Sequence, residues 1–460
     1  MKRAIGMGWA FFVSMSGLVY AQDPTSSPST VSANLTLEQA IQDAQAHSPY
    51  YHKALDMEHE AGWGQLEAWS DGFFPHVHAK AQYFLPDPQY GTLNVQFGGA
   101  PQPITFPGIY PEKTLSLDAD IDIFDGFKNI HKLDSANNSH HAAQILSDYA
   151  SFQLTRQVRL KYFQALAAKL LSDMADQNVT TLENHWKIVK DQLDNGQATK
   201  YDVLRVEVQL SEAKSDQISA HDNVILARES LTQTLGLKKD DRDLSGDLPV
   251  LDAQKLLANL SDVNFTERPD LKAKEFQTLS AEDQSAASHS FWFPKISIIG
   301  EYQWYNSPDY LFNSSTQSNY LKDNDNFRTA YFVGAAASWD ILDGGTSLAK
   351  ANEAGDRAKQ ARDDFEAAQL QAPYDFDLWK RRLVSSVTLY QAKLTDVEKA
   401  KESTRLATLG FKAGIHTTTD VLDAELEQFR AEAGLIQAQY NALEAKVNLE
   451  LAIGKGIDHD

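Results

Sequence analysis

Residues 410–424 read GFKAGIHTTTDVLDA, and residues 192–206 read QLDNGQATKYDVLRV. Each stretch sets a Gly, then a Thr three positions later, then an Asp-Val-Leu that begins three positions after the Thr. Gly196 and Gly414 are 218 residues apart, as are Asp202 and Asp420, Val203 and Val421, and Leu204 and Leu422. The same offset joins Asp122 to Asp340, Asp125-Gly126 to Asp343-Gly344 and Gly236 to Gly454, while Phe74-Pro75 and Phe293-Pro294 match at 219. So many landmarks at one spacing identify a tandem duplication, which constrains the fold before any element is assigned.

The punctuation in each stretch is that of a reversal between two helices. Gly196 and Gly414 suit the left-handed residue that ends a helix, and Thr199 and Thr417 suit the cap that opens the next one. Upstream of the first reversal, Phe127 to about Leu193 has no strong breaker, and 65–70 residues of helix extend about 100 Å. Downstream, Val203, Val206, Leu210, Ala213, Gln217, Ala220, Val224, Ala227, Leu231 and Thr234 alternate steps of three and four. That is a heptad seam. Its copy, from Val421 through Ala424, Gln428, Ala431, Leu435, Ala438, Ala442, Ala445 and Leu449 to Ala452, is richer in Ala and admits a closer neighbour. Pro373 stands in the second long helix where the first has Thr155, and it predicts a kink or short break.

Ahead of each helical pair the period changes. LTLEQAIQDAQAHSP (35–49) reads as a helix capped by Thr36, broken near Ser48-Pro49 and continuing to about Asp71. After Phe74-Pro75 the chain alternates: Val77, Ala79, Ala81, Tyr83 and Leu85 on one face, His76, His78, Lys80 and Gln82 on the other. TLSLDADIDIF puts Leu115, Leu117, Ala119, Ile121 and Ile123 opposite Ser116, Asp118, Asp120 and Asp122. Residues 295–305 and 328–341 repeat the arrangement, with Tyr331, Val333, Ala335, Ala337, Trp339 and Ile341 on one side and polar loops between the strands. A soluble sheet with one face on a core would alternate in the same way. Strands of about ten residues also match the length of a tilted membrane-spanning strand, and their recurrence in both halves favours that reading. Four strands cannot close a barrel around a lumen, so several protomers must pool theirs. A trimer would supply twelve.

The ends and the composition agree with export. Met1-Lys2-Arg3, the apolar run 4–18 and Val19-Tyr20-Ala21 read as a signal peptide cleaved after Ala21, leaving Gln22 first and no lipid-bearing Cys. There is no Cys among the 460 residues, so no disulfide framework supports the exported chain. Formal charge is −21, and without Lys2 and Arg3 it is 40 basic against 63 acidic residues, −23. That balance excludes nucleic acid as a partner. Beyond the signal, apolar residues are interleaved with charge, so membrane entry would have to be by β-strands.

Taken together, the LTLEQAI…SP opening, the DGF and DGG junctions after the strands, the Gly-x-x-Thr tips and TDVLDA at 419–424 resemble the TolC-like outer-membrane efflux proteins of Gram-negative bacteria. The resemblance covers essentially the whole mature chain. It implies a mainly α fold with a membrane β-barrel portion: a homotrimer with a twelve-stranded barrel in outer-membrane lipid, continuing into a periplasmic α-helical tunnel. A periplasmic adaptor and an inner-membrane transporter would dock on it. The expected organisation is a signal peptide at 1–21, a first repeat at 22–237 (hairpin 76–124, helices 126–195 and 199–236) and a linker at 238–262. A second repeat follows at 263–455 (hairpin 295–341, helices 344–412 and 417–453), with a tail at 456–460. Residues near 22–34, 240–270 and 455–460 would form a belt around the tunnel's middle.

Carried onto this sequence, the family's paired aspartate rings at the periplasmic mouth fall on Asp420 and Asp423, three apart on one helix face. Asp420 is also what a helix start favours. Asp202 matches an acceptor on the neighbouring hairpin. The Tyr and Arg that typically latch the closed mouth are replaced by Phe411, which cannot donate a hydrogen bond, and His416, which is charged only when protonated. In their place, His416 is expected to lean on Asp202. The adaptor-contact tips fall on Asn195, Gly196, Gln197 and Thr199, and on Ala413, Gly414, Ile415 and Thr417. Asp118, Asp120 and Asp122 would face the barrel lumen.

Nothing else in the sequence points to catalysis, a cofactor or a metal. The thirteen His form no HExxH pattern, His140-His141 reads as a solvated helix face, and there is no phosphate loop or nucleophile elbow. A periplasmic adaptor would carry one helical hairpin flanked by small β domains, and a purely structural coiled coil would lack the strands. The sequence does not choose between drug efflux and type I protein secretion.

Overall fold

The computed structural model describes residues 34–83, 89–95, 102–108, 113–250, 267–306, 309–313, 318–322 and 327–457. The signal peptide, most of the expected belt and the tail beyond 457 lie outside them.

The chain opens with β1 (Asn34–Leu35), α1 (Leu37–His47) and α2 (Pro49–Phe73). Thr36 caps α1 in a reciprocal box with Gln39, and Pro49, at the first position of α2, divides the two helices. Strands β2 (His76–Tyr83), β3 (Gln89–Val95), β4 (Gln102–Gly108) and β5 (Lys113–Phe124) precede α3 (Lys128–Asp194) and α4 (Lys200–Thr234). After β6 (Asp243–Leu244), the second copy runs through α5 (Pro269–Ser288), β7 (Lys295–Asn306), β8 (Asp309–Asn313), β9 (Ser318–Lys322), β10 (Phe327–Ser338), α6 (Thr346–Lys412) and α7 (Thr418–Ile453).

The duplication is visible in the backbone. Helices α3 and α6 are each 67 residues long, roughly 100 Å at 1.5 Å per residue. Gly126, Gly196 and Gly236 have φ of 72°, 73° and 76°, and their partners Gly344, Gly414 and Gly454 have 71°, 76° and 77°. One departure is Phe127, left-handed at φ 67° where the second copy has Gly345 at 86°. Its ring packs edge-on against Phe124 and Phe293, at 5.4 and 6.2 Å between centroids, and this aromatic corner holds a conformation that a side chain normally avoids.

Antiparallel strands in the order β10-β7-β5-β2 make one four-stranded sheet, interleaving the two copies. Its register puts Asp118 between His78 and Glu301, and Leu117 between Ala79 and Tyr302, with Tyr331 next along. Ladder pairs share a face, so one side is polar and the other carries Val77, Leu115, Leu117, Tyr331 and Val333. The apolar side is bare: Tyr331 and Val333 are 78% and 79% exposed. Strands β2 and β10 end the sheet, with no further partner among the described residues.

Below the sheet, α3 packs between α2 and α5, and α5 packs on α6. Farther along, α4 lies on α3, α3 on α7, and α7 on α6. Both heptad seams are buried or half-buried, with Val203, Val206, Ala213, Ala227 and Leu231 in the first and Val421, Ala431, Ala438, Ala442, Ala445 and Leu449 in the second. Midway, β1 pairs in parallel with β6 over a core of Leu35, Ala40, Ala44, Val158, Tyr162 and Leu235. Tyr162 donates to the Leu35 carbonyl at 2.8 Å.

Three expectations are corrected. First, the short break expected at Pro373 does not form, and α6 is continuous through it. The ring removes a donor to the turn before it, but Ala372 and Phe376 are buried, and packing along that face holds the helix together on both sides. Second, β10 ends at Ser338, so Trp339 and Ile341 lie past the strand; the Trp339 Nε1 instead donates to the Phe291 carbonyl at 3.3 Å. Third, the connections read as polar loops carry strands, β3 pairing with β4 and β8 with β9. The β-branched and aromatic residues of TLNV and ITF, at 92–95 and 104–106, favour such pairing.

Candidate functional site at the paired helical tips

Both helical pairs reverse through the same turn. At the first, the Gly196 N–H donates to Leu193 at 2.9 Å and Gln197 to Gln192 at 2.7 Å; at the second, Gly414 donates to Phe411 at 3.0 Å and Ile415 to Gly410 at 2.8 Å. This double bond pattern satisfies the last carbonyls of the outgoing helix and requires the positive φ of the glycine. Residues 195–197 and 413–417 are exposed, Ile415 to 77%.

Each return helix then starts with a reciprocal cap. Asp202 Oδ2 accepts from the Thr199 N–H at 2.9 Å and hydroxyl at 2.6 Å, and Asp420 Oδ2 accepts from Thr417 at 2.8 Å in both cases. The Asp202 and Asp420 amides donate back to the threonine hydroxyls. These bonds favour the ionised carboxylates: Thr199, chiefly through its hydroxyl, holds Asp202 below the usual carboxylate value, and Thr417, chiefly through its backbone, does so for Asp420.

Asp423 lies one turn on and is engaged by the other copy. Arg205 Nη2 donates to Asp423 Oδ1 at 3.2 Å, and Arg205 Nη1 donates to the Thr419 hydroxyl at 3.1 Å. The sequence placed Arg205 at the position equivalent to Asp423 without predicting that the two meet. Opposite charges at equivalent positions of two packed copies were the available signal.

Within one protomer His416 is drawn to its own hairpin rather than to Asp202. Its Nδ1 is 3.7 Å from Asp420 Oδ2, on its own hairpin, and its ring lies on the helix end at Gly410, where an added Cβ would come within 2.0 Å of His416 Cδ2. Sequence reasoning missed that contact. The first tip has Gln192 and Ala198 at the corresponding positions, so bulk has exchanged places across the turn. Phe411 is half-buried beside it.

At the other end, the three aspartates of β5 share the polar face; two meet a lysine and one a histidine. Lys80 Nζ is 2.8 Å from Asp118, His76 Nδ1 is 3.8 Å from Asp120, and Lys295 Nζ is 2.8 Å from Asp122. Ser297 donates to Asp122 at 2.6 Å. Among the described residues, ligand atoms of His131, Asp134 and Asp283 come within 4.8 Å of one another, but Asp283 also accepts from Asn138 and Asp134 is exposed. His140 is half-buried at Gly62 rather than solvated.

The model of the outer membrane efflux protein family matches residues 32–237 and 265–455. Outer membrane protein TolC of Vibrio cholerae is 22% identical over 338 residues, 71% of this chain and 74% of the relative. The toluene efflux pump outer membrane protein TtgF of Pseudomonas putida is 24% identical over 381 residues, 76% of this chain and 70% of the relative. Among solved structures, the outer-membrane channel OprN superposes with a TM-score of 0.70 at 20% identity, covering 92% of this chain and 90% of that one. VceC of Vibrio cholerae gives 0.69 at 17%, covering 92% and 97%.

Proposed function

The chain belongs to the outer membrane efflux protein family, and from that premise we propose that it works as a homotrimer, an outer-membrane channel continued by a helical tunnel. Three four-stranded sheets would close a twelve-stranded barrel with Asp118, Asp120 and Asp122 towards the lumen. The observation that carries this reading is the sheet itself: a bare apolar face and two edge strands that have no further partner among the described residues, on a chain whose two outgoing helices each run about 100 Å away from it. An open, apolar sheet is stable in lipid only when its edges are joined.

At the far end, the tips would dock the helical hairpin of a periplasmic adaptor coupled to an inner-membrane transporter. Asn195, Gly196, Gln197 and Thr199 offer a polar contact, and Ala413, Gly414, Ile415 and Thr417 an apolar one. Asp420 and Asp423 would ring the mouth, with Asp202, Phe411 and His416 beside them. Cargo would pass from the periplasm, or directly from the cytoplasm, to the outside. Nothing in the transport reading calls for an enzymatic step.

The test is to purify the full chain from outer membranes, establish heat-modifiable trimers on gels, and record currents in planar bilayers. A monomer that yields no channels would overturn the reading. Profiling a deletion strain for both drug sensitivity and secreted proteins then assigns the cargo class.

A further inference from the structure

Between α3 and α7, above the tips, lies a buried titratable pair that the transport reading does not use. His185 Nδ1 is 3.8 Å from Glu425 Oε2, with side chains only 7% and 19% exposed. That separation is longer than a hydrogen bond, and among the described residues His185 Nε2 and Glu425 Oε2 have no hydrogen-bond partner. Around the same seam pack Val179, Leu182, Val189, Val203, Val206 and, from the other hairpin, Leu422.

Charges here would be poorly compensated. From α3, Glu183 is taken by Lys214 at 2.9 Å, and Lys190 lies over the Trp186 ring at 4.7 Å. From α4, Glu207 accepts from Trp186, and Arg205 is committed to Asp423. On the far side, Lys401 of α6 pairs with Glu432 at 3.3 Å. Lys187, Asp423 and Glu427 are exposed. An imidazolium and a carboxylate without hydrogen bonds cost more in such a seam than a neutral imidazole and a carboxylic acid. Burial correspondingly holds His185 below its ordinary value and pushes Glu425 up to about 7.

We propose that closing the seam between the two hairpins moves one proton from His185 to Glu425, so that the seam closes without exchanging a proton with the medium. In the open, wetted seam between about pH 4.5 and 6.5, both groups are charged. On closure an N–H bond of the imidazolium breaks and an O–H bond forms on the carboxylate, leaving two neutral groups. The linkage terms cancel. Buried alone, His185 would make the seam weaken as pH falls, because only the open form takes up a proton. Buried alone, Glu425 would make it weaken as pH rises, because only the open form gives one up. Together they make the hold of one hairpin on the other indifferent to pH over that range. The consequence for gating rests on the channel reading; the proton balance does not.

Amide hydrogen exchange of the full-length trimer, corrected for intrinsic rates, reads seam opening in residues 180–190 and 420–430. The unsubstituted protein should show protection that is flat from pH 4.5 to 6.5. Glu425→Gln should lose protection by about tenfold per unit as pH falls below 6.5, and His185→Gln by about tenfold per unit as pH rises from 4.5 towards 7. The double variant should be flat again. A slope in the unsubstituted protein, or two flat single variants, would overturn the proposal. Should a variant not assemble, infrared spectroscopy of the unsubstituted protein decides: a protonated carboxyl band at pH 6 that titrates out near 7 supports it, and no such band at pH 6 overturns it. Neither reading depends on conduction, so silent bilayers would count against the channel and not against the proton transfer.

Discussion

Arg205 and Asp423 occupy equivalent positions of the duplicated sequence, 218 residues apart, and they are bonded to each other at 3.2 Å. The two hairpins pack about a local pseudo-symmetry, so equivalent positions meet near its axis, and there the copies have diverged to opposite charge. The pair ties α4 to α7 close to the tips, where those helices otherwise scarcely touch.

For that pair we expect a small stability term and a larger effect on the mouth. Both side chains are partly exposed, at 33% and 59%, and such pairs couple by roughly 0.2–1 kcal/mol. A double-mutant cycle on Arg205→Ala and Asp423→Ala, read by thermal unfolding of the trimer, should return a coupling in that range that falls with salt. Arg205→Ala should also raise the cation preference of the pore, because it exposes a carboxylate that was paired. Unchanged selectivity in that variant would place Asp423 away from the mouth.

On the barrel, the register makes the two faces distinguishable. Val333→Lys should destabilise the inserted trimer by about 2–4 kcal/mol if it reaches the lipid midplane, whereas Asp120→Lys on the polar face should assemble and shift ion selectivity. Cysteine labelling with a membrane-impermeant reagent, in a chain that has no native Cys, should mark position 120 and spare 121. The reverse pattern would invert the sheet.

The caps carry a pH dependence of definite sign. Asp202 and Asp420 are held below the ordinary aspartate value of 3.8, so their contribution is complete above that value and is lost as pH falls through the lowered one. Exchange protection of residues 199–203 and 417–421 should therefore persist below pH 3.8 and then collapse. Asp420→Asn should remove the pH dependence at the second tip alone.

Much of this could be read from the sequence because it rests on period. The heptad seams, the alternation of Leu117 with Asp118 and the Gly-x-x-Thr reversals are local patterns with one geometric solution each. What could not be read depends on which elements become neighbours. Pro373 breaks an isolated helix, but here the buried Ala372 and Phe376 override the local rule. The His416 ring sits on Gly410, a contact legible only once the turn is built. His185 and Glu425 lie 240 positions apart, and neither announces burial by itself.

That turn makes its own prediction. Gly410→Ala should displace the exposed His416 ring and loosen the second tip, since the new Cβ would occupy the place of that ring, and adding His416→Ala should reverse this by recreating the small-residue arrangement that Ala198 gives the first tip. Exchange protection of residues 410–418 measures both. If the double variant is worse than Gly410→Ala alone, the ring contact is not what fixes the turn.

The last prediction concerns block of the mouth by polyvalent cations. Three copies each of Asp420 and Asp423 around one axis would repel, at about 4 kcal/mol for unit charges 4 Å apart at an effective dielectric of 20. The two rings are not equivalent, however. Asp423 is met by Arg205, while Asp420 is held ionised by its cap and, among the described residues, has no arginine or lysine paired with it. Asp420→Ala should therefore weaken block from the periplasmic side more than Asp423→Ala does. Concentration-dependence of block in planar bilayers checks both variants; equal effects of the two aspartates would mean that Arg205 leaves Asp423 when the tips assemble.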